Sequence, residues 1–283
     1  MKLTKNEQSK ILDWLYGSGR DLDVARLNYL FGTTDNKFIL DCLSIYQNKD
    51  GGFGNSLNND TMNPYSTCVA TAHAIKYIIE AGYDKNSTDS LYLDIMKKLS
   101  KYLCTFKGNY YPLTDKKNNK FPSANYLKDG SPESKYYPTC IILAGIYKLL
   151  PTNNVNYILG MKKIDIILQE YLKDELNELE LSAISYLLNI LKEDKDISIY
   201  LEKFEKDLNN VVGIKKAIIC DGLIQIEQEV LDELINSRLK VGVWDVRYNW
   251  GNSAPEQEIC EIKEISKYTT DNVLLLNKYN SLE

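Results

Sequence analysis

Apolar residues recur at spacings of three and four along most of the chain, which is the period of an amphipathic α-helix. This spacing predicts helices over residues 6–16, 21–31, 35–48, 66–81, 89–106, 139–150, 158–172, 177–191 and 227–239. A similar pattern over 197–208 is compatible with one more, and a last helix is predicted to start at Pro255 and run into the 270s. The β-branched stretch 211–226 fits a helix or an extended loop. About eleven helices and no convincing strand result, so we expect an all-α protein.

The predicted helices alternate between two kinds. The runs that follow Pro64 and Pro138 are apolar on most of their faces, and a proline suits the first turn of a helix. In contrast, the helix over 89–106 carries Lys97, Lys98 and Lys101 on one side. We therefore expect buried helices that begin at prolines and amphipathic helices that face solvent.

Composition places the chain among ordinary globular proteins, with 44% hydrophobic and 26% charged residues. The formal net charge is −5 and no block of five like charges occurs, so we expect no nucleic-acid partner. No apolar run approaches the length of a membrane span, and the first residues lack the apolar core of a secretion signal. The six cysteines never form a Cys-x-x-Cys pair. These features favour a cytoplasmic protein with reduced cysteines and no membrane span.

The segment 107–135 has no sustained periodicity and is rich in Pro, Gly, Lys and Asn. Its length is typical of a functional loop or of a flexible one. We do not interpret it as a linker, and we expect one domain over residues 1–283.

Three predicted helices end in a glycine that is closely followed by an aromatic residue. The first such corner is Gln47-Asn48-Lys49-Asp50-Gly51-Gly52-Phe53-Gly54, and the others are Gly108-Asn109-Tyr110 and Gly242-Val243-Trp244. A glycine just beyond a helix adopts the left-handed conformation easily, and Gln and Asp side chains can bond exposed backbone groups. Structural repeat roles are therefore predicted for Gln47, Asp50, Gly51, Gly52 and Phe53.

The first corner resembles the Gln-Trp-type repeat of squalene cyclases and of the β subunits of protein prenyltransferases. Further similar pieces are 20–27, 47–60, 64–74, 121–122 with 137–139, and 242–250, which together sample most of the chain. The chain also resembles a group of bacterial proteins of this repeat type whose function is unassigned. Those families are α/α toroids, so the resemblance implies a partial or complete ring of about four helical-hairpin repeats. Its inner helices would start at Pro64, Pro138 and Pro255, around a central cavity.

The chemistry of those families finds little support in the residues. Neither the Asp-x-Asp-Asp motif of the cyclases nor an Asp-Asp-x-x-Asp motif for magnesium-bound diphosphate occurs. The single histidine, His73, lies in an apolar helix, where a core position is the simpler interpretation than a zinc ligand. We therefore expect no metal and no cofactor, and the sequence leaves open whether the protein is an enzyme.

Two carboxylates are the best catalytic candidates. Asp60 lies in the loop ahead of Pro64 and Asp245 in the loop ahead of Pro255, so the resemblance predicts that both face one mouth of the cavity. Such a pair could act as acid and base on a glycosidic bond. Ligand-binding roles are predicted for Tyr65, Tyr137, Trp244, Arg247, Tyr248, Trp250 and Glu256. Packing explains the same residues too, and Glu256 also suits the first turn of a helix.

The leading functional hypothesis is a terpenoid-cyclase-like or prenyltransferase-like toroid. It would bind a small apolar or isoprenoid-like molecule in its cavity, with or without transforming it. One alternative is a non-catalytic module that binds a peptide, a lipid or a protein. The other is a carbohydrate-processing helical barrel, which depends on Asp60 and Asp245.

Overall fold

The computed structural model describes residues 1–246, 249–252 and 254–283, and these residues form helices joined by loops. The predicted all-α class is confirmed, since the described ranges contain twelve α-helices and no β-strand. The α-helices are α1 (Lys5–Ser18), α2 (Asp21–Leu30), α3 (Lys37–Ser44), α4 (Cys68–Glu80), α5 (Ser90–Leu103), α6 (Thr139–Leu149), α7 (Val155–Tyr171), α8 (Glu178–Leu191), α9 (Ser198–Asp207), α10 (Gly213–Cys220), α11 (Gln228–Asn236) and α12 (Glu256–Lys278). Three short 3-10 helices cover Lys116–Lys120, Asn125–Leu127 and Leu208–Asn210.

The stretch that the sequence left open contains helix α10. It ends at Asp221, which takes the left-handed conformation with φ 44° and ψ 38°, and the Asp221 amide donates to the Ala217 carbonyl at 3.0 Å. An aspartate tolerates this conformation better than most residues do. The β-branched run is therefore helical until Asp221 turns the chain.

The inner-helix start at Pro64 that the resemblance implied is wrong by a few residues. Helix α4 begins at Cys68, where the Thr67 hydroxyl caps it by accepting from the Ala70 amide at 3.1 Å. A threonine N-cap satisfies an amide that the helix itself cannot, and this contact sets the boundary. Pro138 and Pro255, in contrast, directly precede α6 and α12 as predicted.

Helix α6 is the most apolar helix, and almost all its residues are buried. It packs against α4, α7 and α8. Gly145 permits the close approach of α4, because a Cβ there would lie 2.4 Å from Cγ2 of Ile75. Further along, α8 packs against α10, and α12 packs against α2. One large apolar cluster accordingly runs from α2 to the residues after α10, and a second joins α1, α2, α10, α11 and α12.

The two ends of the chain lie side by side. The Leu3 amide donates to the Ser281 carbonyl at 2.9 Å, and the Glu283 amide donates to the Leu3 carbonyl at 3.1 Å. Leu3 itself is completely buried. These contacts hold α1 close to α12.

The segment 107–135 is held by buried polar contacts. The Asn118 side chain donates to the Leu127 carbonyl at 2.8 Å and accepts from the Asn63 side chain at 2.7 Å. Beside it, the hydroxyls of Thr61 and Ser123 lie 2.6 Å apart. The segment thus packs on the loop that precedes α4.

Among the described residues, no helix is long and apolar enough to cross a membrane.

The first glycine-aromatic corner turns tightly against α5. Gly51 has φ +93°, and a Cβ there would lie 2.0 Å from the Lys98 carbonyl oxygen. The Gln47 side chain donates to the carbonyls of Gly51 and Ile95, both at 3.0 Å. Asp50 accepts from the Gly52 amide at 3.0 Å, and Phe53 is fully buried.

All three corners share a contact that the sequence did not reveal. In each, the backbone amide of an aromatic residue donates to the hydroxyl of a buried threonine on an even-numbered helix. The pairs are Phe53 with Thr71 on α4 at 3.1 Å, Tyr111 with Thr139 on α6 at 3.0 Å, and Trp244 with Thr269 on α12 at 3.2 Å. The second corner therefore uses Tyr111 rather than the predicted Tyr110.

Candidate functional site

A cavity of about 240 Å³ lies among the six even-numbered helices. Among the described residues, each of these helices contributes at least one lining side chain, and no odd-numbered helix contributes any. Helices α4 and α12 supply most of the lining. The residues are Arg26 from α2; His73, Lys76, Tyr77 and Glu80 from α4; Tyr137 and Ile141 at the start of α6; Ser182 from α8; Ile218 and Asp221 from the end of α10; and Lys267, Tyr268, Asp271, Asn272, Leu274, Leu275 and Lys278 from α12.

The α4 residues of the cavity form a polar stripe on an otherwise apolar helix. His73, Lys76, Tyr77 and Glu80 are spaced by three and four positions, so they share one face. The other faces of α4 are packed into the core. The sequence therefore directs its polar side chains to the cavity and its apolar ones to neighbouring helices.

One wall of the cavity is an ion-pair network centred on Arg26. Its guanidinium donates to Glu80 at 2.7 Å and to Asp271 at 2.6 Å. Lys267 also pairs with Asp271 at 3.1 Å. Burial alone would raise the pKa of Asp271, but Lys267 and Arg26 outweigh burial and hold that pKa well below its usual range. Asp271 is therefore a carboxylate at neutral pH.

The third carboxylate of the lining is paired as well, since Lys278 binds Asp221 at 2.6 Å. Four cationic side chains, Arg26, Lys76, Lys267 and Lys278, thus face three carboxylates, Glu80, Asp221 and Asp271. Burial lowers the pKa of His73 well below its normal value, with help from Lys267 and Lys76, so this side chain is neutral. The lining carries one positive charge in excess.

Lys76 is the cation without a carboxylate partner. Within the described residues its ammonium group makes no ion pair, and it lies over the ring of Tyr186 at 5.1 Å. Burial lowers the pKa of Lys76, and Asp221 and Asp271 only partly oppose this effect. A half-buried ammonium group that lacks a counter-ion favours the approach of an anion.

Three buried polar atoms of the same cavity have no hydrogen-bond partner among the described residues. They are Nδ1 of His73, the Tyr77 hydroxyl and the side-chain nitrogen of Asn272. Tyr77 and Asn272 are only 3% and 2% exposed. A buried polar atom without a partner costs free energy, and a ligand or an ordered water is the usual remedy.

His73 and Tyr137 meet at the side of the cavity where α6 begins. Nε2 of His73 lies 3.2 Å from the Tyr137 hydroxyl. Burial raises the pKa of Tyr137, and the Asp60 carboxylate raises it further. Tyr137 is therefore a neutral hydroxyl, and it is the one predicted ligand-binding residue among those that line this cavity.

The two predicted catalytic carboxylates are not joined by any contact between described residues. Asp60 accepts a short hydrogen bond from the Tyr126 hydroxyl in the segment that packs over it. Asp245 is exposed, and its Oδ1 accepts from the neighbouring Val246 amide at 2.9 Å. Neither residue lines the cavity.

The remaining predicted binding residues fall into three groups. Trp244 and Trp250 are buried at 2% and 1% exposure, and the Trp244 ring nitrogen donates to the Leu234 carbonyl at 2.8 Å. Tyr65 is exposed and meets Phe121 edge to face at 5.9 Å, while Glu256 is the first residue of α12. None of these four lines the cavity. Arg247 and Tyr248 lie outside the described residues.

Apart from Tyr137, the cavity residues were not predicted from the sequence, although one signal for Lys76 was present. A lysine and a glutamate at helical spacing from a histidine, within an apolar helix, indicate a polar stripe that must meet something other than the core. Asn272 gave no comparable signal, because α12 is polar over much of its length.

No group of three or more His, Cys, Asp or Glu side chains suited to a metal ion occurs among the described residues. Comparisons with protein-family models, with curated proteins and with solved structures found no match to this chain.

Proposed function

We propose that the chain is an α/α toroid that binds a small molecule in the cavity between its even-numbered helices. Support for the ring comes from the successive packing of α4, α6, α8 and α10, from the packing of α12 on α2, and from the side-by-side chain ends. In this arrangement the six even-numbered helices form the inner layer, where the sequence predicted three. Concave sites of this kind are the usual place for ligands.

The proposed ligand carries an anionic group and a short apolar part. The observation that carries this proposal is the unpaired Lys76, in the same cavity as the unpartnered Tyr77 hydroxyl and Asn272 side-chain nitrogen. Each of these groups can donate a hydrogen bond to a carboxylate or phosphate oxygen. A purely apolar molecule would leave all three unsatisfied.

The apolar part of the ligand would contact Ile141, Ile218, Leu274 and Leu275, which complete the lining. An isoprenoid-like chain, which the resemblance implied, is one such apolar part. The volume of about 240 Å³ is near the lower end of small-molecule sites, so the ligand is small.

The proposal concerns binding rather than a reaction. Each of the three carboxylates in the lining is ion-paired with an arginine or a lysine, and the lowered pKa of Asp271 makes that residue unsuited to donate a proton. The carbohydrate-processing alternative needs Asp60 and Asp245 at one site, and no contact between described residues supports that placement. Six unpaired cysteines agree with a cytoplasmic location, which is part of the proposal.

Mass spectrometry of small molecules released from the purified protein tests this proposal. We expect one anionic species that is enriched with the wild type and with Lys97→Met, a matched control at an exposed lysine of α5. We expect Lys76→Met to bind it about ten- to a hundredfold more weakly, because a charge-assisted hydrogen bond is lost. Removal of an unpaired, half-buried charge should leave the folded state at least as stable. Equal retention by Lys76→Met, or no enriched species in any protein, would contradict the proposal.

A further inference from the structure

A second depression, which we call the α5–α7 groove, is separate from the cavity among the even-numbered helices. It has a volume of about 330 Å³ and is bounded by the end of α5, by the residues that follow α5 as far as Tyr111, and by α7. Its apolar wall includes Leu103, Phe106, Leu159 and Ile166. None of its lining residues belongs to the cavity among the even-numbered helices.

The charges of the groove have one sign. Lys107, Lys162 and Lys163 line it, and no aspartate or glutamate does among the described residues. Lys107 donates to the Cys104 carbonyl at 3.1 Å. In the part of the chain that the structure describes, the ammonium groups of Lys162 and Lys163 have neither an ion pair nor a hydrogen bond.

Lys163 is the most constrained of the three lysines. Its ammonium group lies over the Tyr111 ring at 4.8 Å, and burial lowers the pKa of Lys163. A desolvated ammonium group is stabilised when a carboxylate approaches, because the opposite charge compensates for the hydration that burial removed.

Three apolar side chains of α7 in or next to the groove are exposed to solvent. Val155 is 56% exposed, Ile158 51% and Leu159 49%. Such apolar residues, clustered beside lysines on one helix, form an amphiphilic surface rather than scattered exposed positions. The groove thus combines an apolar floor and rim with cations that have no carboxylate partner.

We propose that the α5–α7 groove binds an aliphatic carboxylate, with the chain along the apolar wall and the carboxylate between Lys162 and Lys163. Charge complementarity selects an anion, and the apolar wall selects an acyl chain over a small inorganic ion. The volume of about 330 Å³ is at the small end of ligand sites, so it suits a single chain better than a docked helix. This site is independent of the cavity at Lys76.

Calorimetric titration of the full chain with decanoate, decanol and decyltrimethylammonium tests the proposal. We expect saturable binding of decanoate, weaker binding of the uncharged decanol, and none of the cation. Equal affinity for decanol and decanoate would overturn the role of the lysines. Absence of saturable decanoate binding would overturn the site.

Four variants test whether decanoate binds in the groove. The double variant Lys162→Met with Lys163→Met should bind decanoate about fivefold more weakly or worse. Leu159→Ser should weaken decanoate and decanol alike, since it shortens the apolar wall. Lys97→Met, at an exposed lysine outside the groove, and Lys76→Met, in the cavity, should both leave this affinity unchanged. A loss of decanoate binding in Lys76→Met with none in the double variant would assign the acyl chain to the cavity and overturn this proposal.

Discussion

Asp23 has no exposed surface and joins two buried arginines. It accepts from Arg20 at 2.6 Å, from Arg26 at 3.1 Å and from the Ser266 hydroxyl at 2.8 Å. Burial alone would raise the pKa of Asp23, but Arg20 and the other donors lower it. Asp23 thus ties α2 to α12 through Ser266, and it also contacts Arg26 of the cavity.

We expect Asp23→Asn to destabilise the folded state by roughly 3–5 kcal/mol, because it leaves buried guanidinium charge uncompensated. Asp94→Asn is the matched control, since Asp94 pairs with Lys98 at 2.6 Å on the surface and both side chains are about half exposed. The control should cost less than about 1 kcal/mol. Urea denaturation measures the free energy of unfolding of both variants. Equal losses of stability would show that the buried network contributes no more than a surface ion pair.

Glu7 makes the stability of the folded state depend on pH. It caps α1 with Thr4 and accepts from Arg238 at 2.5 Å. Burial opposes ionisation, but Arg238 and Thr4 prevail and lower the pKa of Glu7 from 4.5 to about 2. Because the folded pKa is the lower one, the stabilisation is complete above pH 4.5 and is lost as the pH falls towards 2.

Glu7→Gln should therefore lose stability less steeply than the wild type between pH 4.5 and about 2. At neutral pH the variant should be less stable, since the contact with Arg238 is weaker. Urea denaturation at a series of pH values measures both effects. Parallel pH curves for the two proteins would show that Glu7 does not titrate as described.

At the scale of single elements, the glycine-aromatic corners decide where helices end. The corner after α3 needs a glycine at position 51, both for its φ of +93° and for the 2.0 Å approach that a Cβ would make to the Lys98 carbonyl. Any side chain would push α5 away. The threonine contacts to Phe53, Tyr111 and Trp244 then fix each corner to an even-numbered helix.

Gly51→Ala should cost roughly 2–5 kcal/mol, the sum of backbone strain and of steric overlap in a packed region. Gly17→Ala is the control, because Gly17 lies inside α1 and a Cβ there would meet no atom within 4 Å. Alanine favours a helix more than glycine does, so the control should be stabilised by about 0.5–1 kcal/mol. Thermal unfolding measures whether each variant is less or more stable than the wild type. A loss of stability at Gly51→Ala well below the expected range would contradict the described turn.

Local patterns explain why the helices could be predicted from the sequence. Apolar spacing of three and four marked most of the helices, and Asn177 and Pro255 lie where α8 and α12 begin, as predicted. Helix α4 starts two residues later than the predicted 66, because the Thr67 side chain caps it. Helix α10 could not be assigned, since a short β-branched run has no distinct period.

At the scale of the whole molecule, the cavity depends on contacts between distant residues. Arg26, Glu80 and Asp271 lie on three different helices, and their pairing follows from how α2, α4 and α12 meet. No local pattern contains that information. Sequence reasoning therefore favoured loop carboxylates near prolines and found only Tyr137 of the cavity lining.

The proposed function requires a ligand among the six even-numbered helices. Ser182 is the smallest polar residue of the lining, and it is partly exposed. Replacement by phenylalanine would occupy part of the cavity volume of about 240 Å³ without touching the ion pairs. The groove residues Leu159, Lys162 and Lys163 stay unchanged in such a variant.

Native mass spectrometry of Ser182→Phe beside the wild type is the most direct measurement of this claim. We expect the wild type to retain a small anionic molecule that the folded variant lacks. Retention of the same molecule by the variant, at the same ratio to protein, would contradict this claim.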